Sequence, residues 1–417
     1  MQQVIDYLHR RKKANPKPVC AFVYDLDALQ THVSGLMKTL PSRCRLFYAM
    51  KANSEAPILK ALAPLVHGFE VASLGEVRKV RAISPEAPII FGGPGKTDEE
   101  IEGAIDLGLY LLHVESRHEL QRIGRIAHRR GVEVPILLRV NLHGALPQAT
   151  LAMAGRPTQF GIDEAALPDL IRLAVALKNV KLAGFHLHSL SNQLDPEQHV
   201  RLIALYCARV RRWIETFGLK IDYINAGGGV GVNYADLTRQ FDWNCFSERL
   251  AGMLQVECPP GAGVLFECGR YLTAACGYYV TEVLDIKQNH GKHYAIINGG
   301  SHHFRLPAAW QHSHPFSIVP VARWDYPFSR PELLDSEVTV AGQLCTPKDI
   351  LARDVRISRL RIGDLLLFPY AGAYGWSISC HDFLSHPHPD HIYLSETGPA
   401  ADKTDPRQAA ARRSRRD

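Results

Sequence analysis

The sequence predicts an α/β protein, a (β/α)₈ barrel followed by a separate β-domain. Three observations carry that prediction. Eight short apolar runs recur over the first two thirds of the 417 residues, with segments of helical period between them. Beyond about residue 278 the helical segments stop while strand-like runs continue. Unusual polar residues fall at the C-terminal ends of the eight runs, which is where barrel enzymes keep their chemistry.

The eight runs are RLFYAM (45–50), GFEVAS (68–73), PIIFGG (88–93), LYLLHV (109–114), PILLRV (135–140), KLAGFHLH (181–188), IDYINAG (221–227) and GVLFECG (263–269). Near-continuous apolar strands alternating with amphipathic helices such as SLGEVRKVRAI and TDEEIEGAIDLG indicate parallel pairing. A doubly wound sheet is the alternative, but AGGGVGVNY does not fit the G-x-G-x-x-G turn that fold uses for dinucleotides. The later runs GYYVTEVLDIKQ, KHYAIING, SEVTVAGQLC and DLLLFPYAGAY are separated by turns bearing Pro and Gly. The N-terminal PVCAFVYD lies outside the count of eight and is expected to join this β-domain. The expected organisation is a joining segment at 1–30, the barrel at 31–278, the β-domain at 279–397, and a basic, disordered tail at 398–417.

The net charge of +6 does not indicate nucleic acid, because half of it sits in Ala401–Asp417 and the body is near neutral. Nine scattered cysteines without a CxxC pair form neither a disulfide framework nor a zinc pattern. The N-terminus has no signal-peptide core and no run is long enough to span a bilayer, so a cytoplasmic protein without a membrane partner is expected. Histidines 381, 386, 388 and 391 are interrupted by prolines, and no metal is expected there.

The strand ends are Lys51, then Glu70 and Ser73, then His113 and Glu115, then Arg139 and Asn141. His186, His188 and Ser191 follow, then Gly227 to Gly229, and last Glu267 and Arg270. A lysine closing a buried strand is costly unless it is used, and a buried lysine can form a Schiff base. A glycine triplet exposes backbone N–H groups to a phosphate. A carboxylate can hold the proton of a pyridine ring. One arginine can grip a phosphate or carboxylate with a bidentate fork. Lysine, phosphate cradle and pyridinium partner together specify pyridoxal 5′-phosphate.

These motifs resemble the barrel-type pyridoxal-phosphate decarboxylases, the ornithine, diaminopimelate and arginine group, over residues 18–395. The resemblance implies that FYAMKAN carries the cofactor's covalent lysine, Lys51. It implies that HLHSLSNQ supplies a ring-stacking His188 and a phosphate-binding Ser191, with Leu190 where glycine is usual. NAGGGVG matches the phosphate glycines, carried onto Gly228 and Gly229. ECGR matches Glu-Pro-Gly-Arg, which assigns Glu267 to the pyridine nitrogen, Gly269 to the cofactor and Arg270 to phosphate or substrate carboxylate, with Cys268 in place of proline. Arg139 is counted with the cofactor residues. GQLCTPKD resembles the segment whose cysteine, here Cys345, is the catalytic acid. YAGAYG resembles the segment whose tyrosine, here Tyr374, reaches the phosphate. In the family the cysteine segment reaches a partner subunit, which implies a homodimer with shared sites.

Ornithine and diaminopimelate enzymes usually carry an acid after that cysteine, and here Thr346 stands in its place. INGGSHHFR sets His302, His303 and Arg305 in a segment that bears an aspartate in ornithine enzymes, with Asn298 at the aspartate position. These groups suit a small-molecule substrate rich in carboxylate. NGG with the His pair, and FLSHPHP, are similar to siderophore-pathway decarboxylases acting on a citrate-conjugated diamino acid. The alternatives are diaminopimelate decarboxylase, an amino-acid racemase, and a cofactor-free regulator of the antizyme-inhibitor type.

Overall fold

The computed structural model describes residues 1–144 and 157–396, with the backbone of 151–152. The basic tail at 398–417 lies outside the described residues. The chain divides into two compact units. Gln30–Asn233 with Thr238–Leu272 form one, and Met1–Leu29, Tyr234–Leu237 and the residues from Thr273 onward form the other.

The first unit is a closed barrel of eight parallel strands. They are Cys44–Ala49, Gly68–Val71, Ile89–Phe91, Leu111–Val114, Val134–Asn141, Val180–His186, Tyr223–Asn225 and Gly263–Cys268. The first pairs with the second and the eighth, and the fourth with the fifth, which closes the ring. These are the eight strands expected, some of them shorter than expected, for identifiable reasons. The second ends at Val71 because Ser73 is the N-cap of the next helix, Leu74–Ile83, accepting the N–H of Glu76. The seventh ends at Asn225 because Gly227 turns to a φ of +67°, outside the β region.

The helices begin directly after the strands for a reason written in their first residues. Ser73, Thr97 and Ser116 each stand three residues before a glutamate. Thr97 and Glu100 form a reciprocal capping box at the start of Asp98–Asp106, and Ser116 caps Arg117–Arg130. Such immediate caps keep the helix entries next to the C-terminal mouth of the barrel. Inside the barrel, Phe47, Ile90, Leu111, Leu137, Ala183 and Leu265 form one apolar cluster. It is a packed plug on which the residues nearer the mouth stand.

The second unit is a mixed sheet. Gly277–Asn289 pairs with Lys292–Ile297 and Leu365–Phe368, and Lys292–Ile297 pairs with Glu332–Ala341, which pairs with Ile350–Arg361. The N-terminal strand Cys20–Asp25 lies antiparallel to Gly277–Asn289, with Phe22 opposite Tyr279, and parallel to Asp390–Leu394. Gln2–Ala14 forms a helix whose Val4 and Leu8 join the core with Val23, Val280, Leu365 and Ile392. Its Lys12 makes a buried ion pair with Glu282 at 2.6 Å. Among the described residues no helix is long and apolar enough to cross a membrane.

Candidate active site

Side chains on a strand alternate, so two residues beyond an inward apolar group the next inward position is reached. From Leu111, Leu137 and Leu265 that step gives His113, Arg139 and Glu267. These residues, with His186 and Asn225, are buried above the apolar plug. Lys51 stands two residues past Ala49, in a 3-10 turn, Met50–Ala52, at the end of the first strand. Its ammonium donates to Glu70 Oε2 at 2.8 Å. Its side chain is 48% exposed while that of Glu70 is 6% exposed, so a buried carboxylate tethers a lysine that reaches the mouth. The sequence places Glu70 at a strand end without giving it a role.

Asn225 organises the floor. It is completely buried. Its Oδ1 accepts the N–H of Gly227 at 2.8 Å, so its Nδ2 must face the other way. There it donates to Glu267 Oε1 at 2.6 Å and to His113 Nε2 at 3.1 Å. The His113 and His186 rings stack with centroids 4.0 Å apart. His186 Nε2 is 3.5 Å from Glu267 Oε2, and among the described residues neither His186 ring nitrogen has a hydrogen-bond partner. Burial, then the charge of Arg139, pushes His113 well below the usual imidazole range. Burial, then His113 and Arg139, does the same to His186. Glu267 moves the opposite way, to about 8, because burial and the nearby Glu70 outweigh Lys51 and the Asn225 hydrogen bond.

That shift has a measurable consequence. Glu267 holds a proton in the folded chain up to about pH 8 but ordinarily loses it near 4.5. Folding of the cofactor-free protein therefore takes up a proton across that window, and stability falls as pH rises through it. The fall is expected to be on the order of a few kcal/mol, and Glu267→Gln should flatten it. Urea unfolding of both proteins between pH 5 and pH 8 checks this, and parallel profiles would refute it.

The glycine turn follows the seventh strand. Gly227 and Gly229 have φ of +67° and +98°, and a β-carbon on Gly228 would lie 2.3 Å from the Glu267 carbonyl oxygen. His188 lies past the sixth strand, where its Nδ1 accepts the N–H of Gly228 at 3.2 Å. Burial, then Arg139 and Lys51, keeps it well below the usual imidazole range. Ser191 belongs to a two-residue strand, Leu190–Ser191, paired with Leu151–Ala152. Gly269 sits where a β-carbon would meet the Ala49 carbonyl at 2.8 Å, so it lets the end of the eighth strand close onto the strand carrying Lys51. Arg270 opens the helix Arg270–Thr273 directly after it.

Arg139 is buried and engaged: it donates to Glu115 Oε1 at 2.6 Å and lies over the Phe160 ring. Glu115 Oε2 accepts the N–H of Gly161 at 2.8 Å. Arg139 thus ties two strands and the 157–161 segment together.

A lysine at the mouth, a carboxyl that retains a proton, a glycine turn and an unpartnered buried imidazole have the chemistry pyridoxal phosphate requires. His113, His186 and Glu267 also have ligand atoms within 4.8 Å of one another. The Asn225 N–H groups already point at His113 Nε2 and Glu267 Oε1, so a cation there would face two donors.

The other expected residues lie in the β-unit. Cys345 is exposed on the turn between Glu332–Ala341 and Ile350–Arg361, and Thr346 beside it accepts the N–H of Lys348 at 3.3 Å. Tyr374 has a positive φ of 52°. His302 and His303 are buried, and burial lowers them to about 4 and about 2. Both are neutral at pH 7, and a neutral imidazole can meet a carboxylate only as an N–H donor. Within this unit His303 Nδ1 meets Cys20 Sγ at 3.3 Å.

Residues 26–274 match the family described as pyridoxal-dependent decarboxylase, pyridoxal binding domain. The chain is 51% identical over 397 residues to 2-[(L-alanin-3-ylcarbamoyl)methyl]-2-hydroxybutanedioate decarboxylase of Staphylococcus aureus, covering 95% of this chain and 98% of that one. It is 32% identical to diaminopimelate decarboxylase of Vibrio cholerae, covering 88% and 85%. Among solved structures, diaminopimelate decarboxylase of Helicobacter pylori complexed with L-lysine superposes with a TM-score of 0.81 at 26% identity, covering 94% of each chain.

Proposed function

The chain belongs to the pyridoxal-dependent decarboxylases, and on that premise we propose that it removes CO₂ from a diamino acid conjugated to citrate, in siderophore biosynthesis. The observation that carries this reading is the near full-length likeness to the Staphylococcus aureus enzyme. That enzyme's name describes an alanine unit joined through its third carbon and an amide to a hydroxybutanedioate. Such a molecule is rich in carboxylate and has no free distal ammonium. Thr346 agrees with it, since a neutral hydroxyl cannot balance a buried ammonium.

When bound, pyridoxal phosphate supplies an electron sink for the electrons that CO₂ leaves behind. In this reading Lys51 would anchor it and Glu267 would hold a proton toward its ring nitrogen. His188 would lie against the ring. Gly228, Gly229, Ser191 and Tyr374 would hold the phosphate, and Gly269 and Arg270 would close the site beside it. Arg139 fixes the wall by its bond to Glu115. Cys345 donates the proton that replaces CO₂, reaching the barrel of a second subunit in a homodimer, and Thr346 faces the substrate.

Incubation with the citrate conjugate and, separately, with meso-diaminopimelate tests the substrate. The conjugate is expected to win in kcat/KM by roughly 10²-fold or more, the scale set when a polar site meets the wrong partner. Equal rates, or preference for diaminopimelate, would overturn the assignment.

A further inference from the structure

We propose that Asn225 is a positioning residue that decides which oxygen of Glu267 presents a proton to the cofactor's ring nitrogen. The inference rests on the reading that Glu267 faces that nitrogen. Its geometry is independent of that reading.

The backbone N–H of Gly227 can only donate, so it fixes Asn225 Oδ1 as the acceptor and Nδ2 as the double donor. Nδ2 then occupies a lone pair on Glu267 Oε1 at 2.6 Å. With Oε1 committed as an acceptor, the carboxyl proton belongs on Oε2. The second Nδ2 hydrogen faces His113 Nε2 at 3.1 Å. In this arrangement Nε2, which also lies 3.5 Å from Glu267 Oε1, accepts, and His113 is the neutral tautomer with its hydrogen on Nδ1. A protonated His113 would set two donors against each other in a completely buried place.

One side chain thus ties three things together: the carboxyl, the tautomer of the imidazole beside it, and the first residue of the glycine turn. Neither imidazole of the floor can do this. Among the described residues His186 has no hydrogen-bond partner at either ring nitrogen, and His113 is linked to the glycine turn through Asn225.

Asn225→Ala isolates the effect. It removes both donors without placing a second carboxyl 2.6 Å from Glu267 Oε1. The cofactor-free variant and wild type are titrated with pyridoxal 5′-phosphate and with its 1-deaza analogue, which has carbon in place of the ring nitrogen. Binding is followed by quenching of protein fluorescence. The variant is expected to lose at least tenfold in affinity for pyridoxal phosphate and less than threefold for the deaza analogue. Equal losses for the two would mean that Asn225 only supports the fold, and no loss for either would mean that it does not position Glu267; both overturn the proposal. If Asn225→Ala does not fold, Asn225→Ser, whose hydroxyl can still accept the N–H of Gly227, is read in the same two-ligand format, and a larger loss for pyridoxal phosphate is again required. Wild type binding the two ligands equally would instead refute the role of Glu267 on which the inference rests.

Discussion

Lys51→Ala is expected to lower CO₂ release by roughly 10³-fold or more, the range seen when a group acting on the reacting atoms is removed. It should do so without loss of folding. The side chain of Lys51 is half exposed at the mouth, and its ammonium donates to Glu70. The lysine side of the pair is half exposed, so water can take the place of the lost ammonium. The thermal midpoint should therefore change little at neutral pH, while the visible absorbance of lysine-bound cofactor disappears. Turnover close to wild type in this variant would remove Lys51 from the mechanism. Unfolding of the variant would instead assign Lys51 to structure.

The barrel was readable in the sequence because its physical signals repeat. Eight apolar runs, each followed by a helix, require parallel strands with both faces covered. The residues at the strand ends were readable for the same reason: once the strands are placed, the ends follow. Asn225 was hidden. It lies inside INAGGG, where an asparagine before glycines reads as part of a turn, and its partners are 42 and 112 residues away in the chain. Period-two counting from Leu111 and Leu265 would have found His113 and Glu267 on one level, but not the amide between them. Residue type alone does not give the charge of His302 and His303, because charge depends on burial and both are buried. The N-terminal helix was also missed. HRRKKANPK reads as a solvated basic stretch, yet Lys12 is buried on Glu282 while Val4 and Leu8, four residues apart, pack into the sheet.

Cys345→Ala should separate two steps that Lys51→Ala stops together. CO₂ release should remain detectable, while formation of the amine product falls by about 10²- to 10⁴-fold, the usual contribution of a positioned acid. The thiol is exposed on its turn. Its turn is braced from within: Gly342 N–H donates to the Asp349 carbonyl at 2.9 Å, and Asp349 accepts the N–H groups of Leu344 and Ser301 at 2.8 and 2.6 Å. A braced turn with an exposed thiol at its tip can enter a partner's barrel without being ordered at that moment, which spares entropy. If the acid comes from the partner, Lys51→Ala and Cys345→Ala repair one another. Refolded together, half the dimers are mixed and each mixed dimer has one intact site, so about a quarter of wild-type activity should return. Refolding each variant alone should return none. A mixture no more active than its parts, from chains that sediment as dimers, would place Cys345 in its own subunit's site or outside the reaction.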